Sequence, residues 1–265
     1  MKKIIMLCLG IMTAGLVLAG CGQQAKQAAP DAGKAGKIVV GLDDNYPPMG
    51  FRDENNNITG FDVDLAKEAA KRLKREVEFK PIDWSSKEAE LKSGRVDVLW
   101  NGLDITEKRK ENMLFSDPYM DNRQIVFVRN DSAIKTAADL KGKIVGTQSG
   151  STGEENINKD AKLKSSLKEV KAYPDFIAAF MDLENGRIDA IVGDEITGRY
   201  YMSKHPDKFA ARDIVIGDIT SFGIGFAKDN QKLRDEVQKV LNEMKKDGTM
   251  AKISQKWFGK DITKK

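Results

Sequence analysis

Two nine-residue segments, LKSGRVDVL at 91–99 and LENGRIDAI at 183–191, carry Leu, Gly, Arg and Asp at matched positions, with Gly94 and Gly186 standing 92 residues apart. Each reads as the end of a helix, a glycine stop and a buried strand. Glycine suits the position just past a helix because it adopts the left-handed conformation without Cβ strain. A single such junction occurs in any α/β protein, but a repeated one points to two similar units. Both segments run into polar residues where their strands end, Asn101-Gly102-Leu103-Asp104 in the first and Gly193-Asp194-Glu195 in the second. In open α/β sheets, ligands bind outside the carboxyl ends of the strands.

Around the first segment, an apolar run at 38–42, a helical pattern at 62–73 and a second run at 77–79 alternate in the way that makes mainly parallel sheets. The expectation is an α/β chain of two lobes, each a mixed, mainly parallel sheet flanked by helices. Residues 37–122 and 222–265 are assigned to lobe 1 and 123–221 to lobe 2. Extended crossings at 123–127 and 220–224 would form a hinge, and 229–246 and 249–258 read as closing helices.

The N-terminus carries an export pattern. Lys2 and Lys3 precede an apolar stretch at 4–18, and Ala19-Gly20 sets small residues before Cys21. That is the layout of a secretory signal. LAGC resembles the lipobox of bacterial lipoproteins, which implies a signal peptide at 1–20 and a lipid anchor on Cys21. An uncleaved membrane-spanning helix is the alternative, and either reading exports the rest of the chain. Residues 21–36, rich in Ala, Gln, Gly and Lys, suit a flexible tether.

Composition narrows the chemistry further. Cys8 and Cys21 are the only cysteines, so the chain after Cys21 has no thiol for a disulfide or a cysteine-metal site. His205 is the single histidine, which leaves imidazole catalysis and zinc almost no material. Removing Lys2 and Lys3 lowers the formal net charge from +4 to +2, with the remaining charges interleaved, a poor basis for nucleic-acid binding. No cofactor and no metal are expected.

Read in order, GLDDNYPPMGF, GFDVDLAKE, WNGLDITEKRK, FSDPY, SGSTGE and DGTMAKISQKWFG resemble the type 2 periplasmic-binding-protein family in its polar amino acid branch, from about residue 37 to 258. The resemblance implies a monomeric solute-binding lipoprotein on the outer face of the cytoplasmic membrane, periplasmic if an outer membrane is present. Its lobes would close on a free amino acid and dock on an ABC permease driven by a separate ATPase.

A free amino acid needs three recognitions. For its carboxylate, the resemblance points to Arg109, just inside a helix capped by Thr106, whose guanidinium can donate two parallel hydrogen bonds. Ser151 and Thr152, at a Gly-Ser-Thr-Gly helix start, would be the second holder. Asp194 would meet the ammonium, with Gly102 and its neighbour Asn101 on the opposite lobe. Asp43, Tyr46, Trp84 and Gln148 fall at selectivity positions, the two aromatics able to sandwich a side chain and attract a cation. On spacing alone Arg109 reads as a solvated charge, Ser151 as a helix cap, Asp43 as turn chemistry and both aromatics as core.

Asp104 departs from the pattern, because relatives place Thr or Ser there. Either it turns to the ammonium beside Asp194, favouring a cationic ligand, or it leaves the pocket and caps the following helix with Glu107 behind it. With Asp43, Asp104 and Asp194 near one pocket, arginine or lysine is the expected ligand, and glutamine, histidine and cystine are the alternatives. An enzyme is the competing class, since periplasmic cyclohexadienyl dehydratases share the scaffold. That chemistry needs a positioned general acid, and the chain shows no residue for one beyond carboxylates the binding reading already uses.

Overall fold

The structure, a computed structural model, describes residues 36–264. The signal peptide (1–20), Cys21 and all of the tether except Gly36 lie outside the described residues. The chain runs through β1 (Lys37–Leu42), β2 (Asn45–Tyr46), β3 (Gly50–Arg52), β4 (Ile58–Thr59), α1 (Phe61–Arg72), β5 (Glu76–Pro81), α2 (Lys87–Lys92) and β6 (Val98–Asp104). Next come α3 (Glu107–Asn112), β7 (Met113–Phe115), β8 (Met120–Asn122), β9 (Gln124–Arg129), β10 (Ile144–Gln148), α4 (Thr152–Lys159), α5 (Ala161–Ser166) and β11 (Glu169–Tyr173). It ends with α6 (Phe176–Glu184), β12 (Ala190–Asp194), α7 (Glu195–Lys204), β13 (Phe209–Val215), β14 (Thr220–Ala227), α8 (Gln231–Lys246) and α9 (Thr249–Phe258).

Two mixed sheets organise these elements. The first has the order β5-β1-β6-β14-β7, with β8 also paired to β14, and the second the order β11-β10-β12-β9-β13. Within each, three strands are parallel and the next neighbour is antiparallel: β14 beside β6, and β9 beside β12. The chain leaves the first sheet after β8 and returns to it at β14. Strands β2, β3 and β4 form a small antiparallel sheet that the alternation of strands and helices did not announce.

The sequence repeat is a structural repeat. Gly94 and Gly186 both have φ +69°, the left-handed exit expected after α2 and α6. Arg95 and Arg187 each bond a carboxylate five residues back, Glu90 and Asp182. Asp97 Oδ2 accepts the Val39 N–H at 2.7 Å, and Asp189 Oδ2 accepts the Ile144 N–H at 2.8 Å. In each sheet, the repeat's Asp thereby ties the start of the third parallel strand to the second. The result brings Asp104 and Asp194 to the same relative place, the carboxyl ends of β6 and β12.

Burial follows the strand pattern. Every residue of β6 and β12 is buried, as a strand covered on both faces requires. In α7, Gly198 packs on the Phe127 ring of β9, and a Cβ added there would lie 2.0 Å from Phe127 Cζ. Gly198→Ala is therefore expected to destabilise the protein by about 1–3 kcal/mol, the usual cost of overpacking. Urea denaturation with an unchanged slope and a lower midpoint would show it. No helix among the described residues is long and apolar enough to cross a membrane.

Candidate functional site

The ends of β6 and β12 converge on two buried carboxylates. Asp104 and Asp194 are 2% and 5% exposed, and the same two amides serve both. Asn122 Nδ2 donates to Asp104 Oδ1 at 3.0 Å and, in a shorter contact, to Asp194 Oδ1. Gln124 Nε2 reaches Asp194 Oδ1 at 2.7 Å and Asp104 Oδ2 at 3.3 Å. Thr220 Oγ1 also donates to Asp104. All three donors sit where the chain passes between the sheets. Thr106 caps α3, accepting the Arg109 N–H at 3.2 Å, so Asp104 is not the cap and belongs to the carboxylate pair.

Two carboxylates this close and this dry resist full ionisation. Asp194 is pushed up to about 6, first by burial and then by Asp104. Burial likewise raises Asp104, with Arg109 the largest opposing influence. Tyr46 packs beside Asp194, and its hydroxyl is held protonated, chiefly by burial and then by the Asp194 charge.

Arg109 is 1% exposed. Its Nη1 donates to the Asp104 backbone carbonyl and to Thr152 Oγ1, both at 3.1 Å. Nη2 reaches the Gly150 carbonyl and Glu155 Oε1, both at 3.3 Å. A guanidinium based on α3 thus bridges to the turn that opens α4 on the other sheet. In that turn Ser151 caps α4 by accepting the Glu154 N–H, and its hydroxyl meets Thr147 at 3.2 Å.

The remaining expected residues form a second group at the end of β1. Gln148 Nε2 donates to Asp43 Oδ2 at 2.6 Å, again from one sheet to the other. Asn101 Oδ1 accepts the Asp43 N–H at 3.0 Å. Asp43 is raised to about 6, mainly by burial. The Gly102 N–H is held by Asp62 Oδ2 at 2.6 Å, and the same oxygen accepts from Tyr119. Tyr46 lies against Gly102 and 6.1 Å from the Phe176 ring. Trp84 stands apart from this group. It packs with Leu91, Val96, Leu99, Leu103 and Met113, and the cation over its ring is the protein's own Lys87, 5.2 Å from the centroid.

Four buried polar atoms among the described residues concentrate here without a hydrogen-bond partner: Arg109 Nε, Asn101 Nδ2, Asn122 Oδ1 and Gln124 Oε1. Folded proteins leave few such atoms, and Asp62 Oδ1, Trp100 Nε1, Thr197 Oγ1 and Arg234 Nε are likewise unpartnered. The Arg109 guanidinium lies beside the carboxylate pair, donating to the Asp104 backbone carbonyl and opposing the rise of its carboxyl, and Asp43 belongs to the second group. Asn122, Gln124, Thr220, Glu155 and Lys87 were absent from the sequence-based set. Only their positions at the crossings, Gln124 and Thr220 within them and Asn122 beside one, hinted at a role for the first three. No group of His, Cys, Asp or Glu among the described residues is arranged to hold a metal ion.

Residues 38–260 match the model of the bacterial extracellular solute-binding proteins, family 3. The chain is 35% identical over 263 residues to the L-cystine-binding protein TcyJ of Escherichia coli, covering 97% of this chain and 96% of that one. It is also 35% identical over 232 residues to ABC transporter arginine-binding protein 1 of the same species, covering 86% and 93%. Among solved structures, an ABC uptake transporter substrate-binding protein from Streptococcus pneumoniae with bound histidine superposes with a TM-score of 0.84 at 35% identity. That match covers 86% of this chain and 95% of the other.

Proposed function

Because this chain belongs to the bacterial extracellular solute-binding proteins of family 3 and is an amino-acid-binding component of an ABC transporter, we propose that its ligand is a cationic L-amino acid, arginine or lysine. The relatives are binding proteins and not enzymes, so binding is coupled to closure and delivery, with no reaction. In this reading the Arg109 fork, Thr152 and the Ser151 turn hold the α-carboxylate. Asp194 and Asp104 take the α-ammonium, with Asn101 and Gly102 beside them, while Asp43, Gln148 and Tyr46 face the side chain and Trp84 backs the wall. Lobe 1 comprises 37–122 and 222–265 and lobe 2 comprises 123–221, turning on the crossings that carry Asn122, Gln124 and Thr220. A lipid on Cys21 tethers the monomer to the outer face of the membrane, beside its permease and ATPase.

The observation that carries the cationic assignment is that Asp43, Asp104 and Asp194 are each buried, the last two as a pair sharing the Asn122 and Gln124 amides. Both Asp43 and Asp194 are raised to about 6. A buried carboxylate in that state favours a cation arriving beside it. A neutral side chain would leave Asp43 with only Gln148 and backbone donors.

A thermal-shift screen against the common amino acids and cystine tests the assignment. Ligand binding only to the native state raises stability by about 2.7 kcal/mol at a hundredfold excess over Kd. Arginine or lysine is expected to give the largest shift. A largest shift with aspartate or glutamate would overturn the assignment.

A further inference from the structure

Resting on the amino acid reading above, we propose that Lys87 is a positioning residue of the ligand site, an ammonium on one lobe that pins the Gly150 carbonyl on the other. It thereby sets the turn at 150–152 and the Arg109 fork against the ligand's carboxylate.

In sequence, Lys87 lies in Ser85-Ser86-Lys87-Glu88, a solvated helix start by its looks. In the fold it is 3% exposed. Its Nζ donates to the Gly150 carbonyl at 2.7 Å and to the Trp84 carbonyl at 3.3 Å. The Gly150 oxygen is the same atom that Arg109 Nη2 reaches, so two cations from the first lobe converge on one carbonyl of the second. On its other side, Gly150 donates its N–H to Glu154 Oε2 at 2.7 Å, which leaves neither of its backbone groups loose.

The seat is close as well as polar. Gly150 has φ +72°, and a Cβ there would lie 2.8 Å from Ser85 Cα and 3.2 Å from the Trp84 carbonyl. The turn therefore rests directly on the backbone at the head of α2, in a conformation that favours glycine.

Burying an ammonium is costly unless something compensates it. Burial, followed by the Arg109 charge, lowers Lys87 to about 8, still above neutral pH. The compensation consists of two carbonyls, the Trp84 face and the nearby Glu155. A role in the site explains why the cost is borne there. Asp104 lies close enough to Arg109 for the guanidinium to be the largest influence holding its carboxyl down, and a second cation at the same turn makes up for the positive charge that Arg109 shares with Asp104.

Calorimetric titration of the exported chain with matched probes tests this: L-arginine against L-argininamide, L-histidine against L-histidinamide, and L-cystine against its diamide. Lys87→Met is expected to weaken the carboxylate form that the wild type binds by about tenfold, the scale of one hydrogen bond to a charged group. The amide form should change less than about twofold, because it lacks the charge that the turn and Arg109 are set to meet. Lys87→Arg should restore most of the difference. If Lys87→Met does not fold, Lys87→Gln carries the comparison. Equal losses for carboxylate and amide would reduce Lys87 to a packing residue and overturn the proposal, as would no loss at all. A wild type that binds none of the carboxylate probes would instead overturn the amino acid reading, and this proposal with it.

Discussion

Replacing Arg109 by Met is expected to weaken amino acid binding by about 100-fold or more, because removing one partner of a buried, hydrogen-bonded charge pair costs roughly 2–5 kcal/mol. The side chain is buried, bridges the sheets through Thr152 and Gly150, and is the largest influence opposing the rise in Asp104. Methionine keeps the stem's packing and deletes the fork. Without the guanidinium, Asp104 rises further, so the variant's carboxylate pair binds a proton more tightly. Isothermal titration gives the loss in affinity, and a melting curve of the ligand-free variant separates it from misfolding. A variant that folds and binds within threefold of the wild type would remove Arg109 from the site.

The second large effect is at Asp194. Asp194→Asn is expected to lower affinity about 100-fold at pH 7.5, since the ammonium then lacks its buried counter-ion. Acid should imitate the substitution. Burial and Asp104 raise Asp194 to about 6 in the folded protein, so wild-type affinity is expected to fall roughly tenfold or more between pH 7.5 and 5, while the Asn variant should lose only the share that Asp43, also raised to about 6, contributes. Stability of the ligand-free protein runs the other way. A carboxylate whose pKa is raised by folding makes the native state hold a proton that the unfolded chain has released. That contribution is complete below about pH 4 and is lost as pH rises through about 6. Asp43, at about 6, acts in the same sense, and Asp62, at about 7, extends the window upward. Ligand-free melting temperatures near pH 5 and pH 7.5 check the sign.

Much of this arrangement was legible in the chain. The repeat located both helix exits, and its Asp, Gly and Arg recur in the same bonds in each sheet. The expected strand at 38–42 is β1, the helix at 62–73 is α1 within a residue at each end, and the helices at 229–246 and 249–258 are α8 and α9. Local patterns sufficed there because periodicity and glycine exits are properties of contiguous residues.

What escaped the reading depends on distant chain. Lys87 looks solvated until the turn at Gly150 arrives from 63 residues on. Asn122 and Gln124 carry no motif, and they matter because the chain passes between the sheets beside two carboxylates. Asp104 had two open fates, and the choice fell to Thr106, which caps α3 and leaves Asp104 to the amides. Trp84 offered an aromatic face to a ligand's cation, but the structure sets Lys87 over that face.

Proton release on binding tests the central claim most directly. Burial raises Asp194 to about 6 and raises Asp104 with it, so an arriving ammonium is expected to displace a proton toward solvent at pH 6. Titrating the wild type with its tightest amino acid in two buffers of different ionisation enthalpy measures the exchange. The expected result is net release at pH 6 that is reduced in Asp194→Asn to the share Asp43, also raised to about 6, supplies. Binding with no exchange of protons, or with uptake, would contradict a zwitterion gripped between Arg109 and the carboxylate pair.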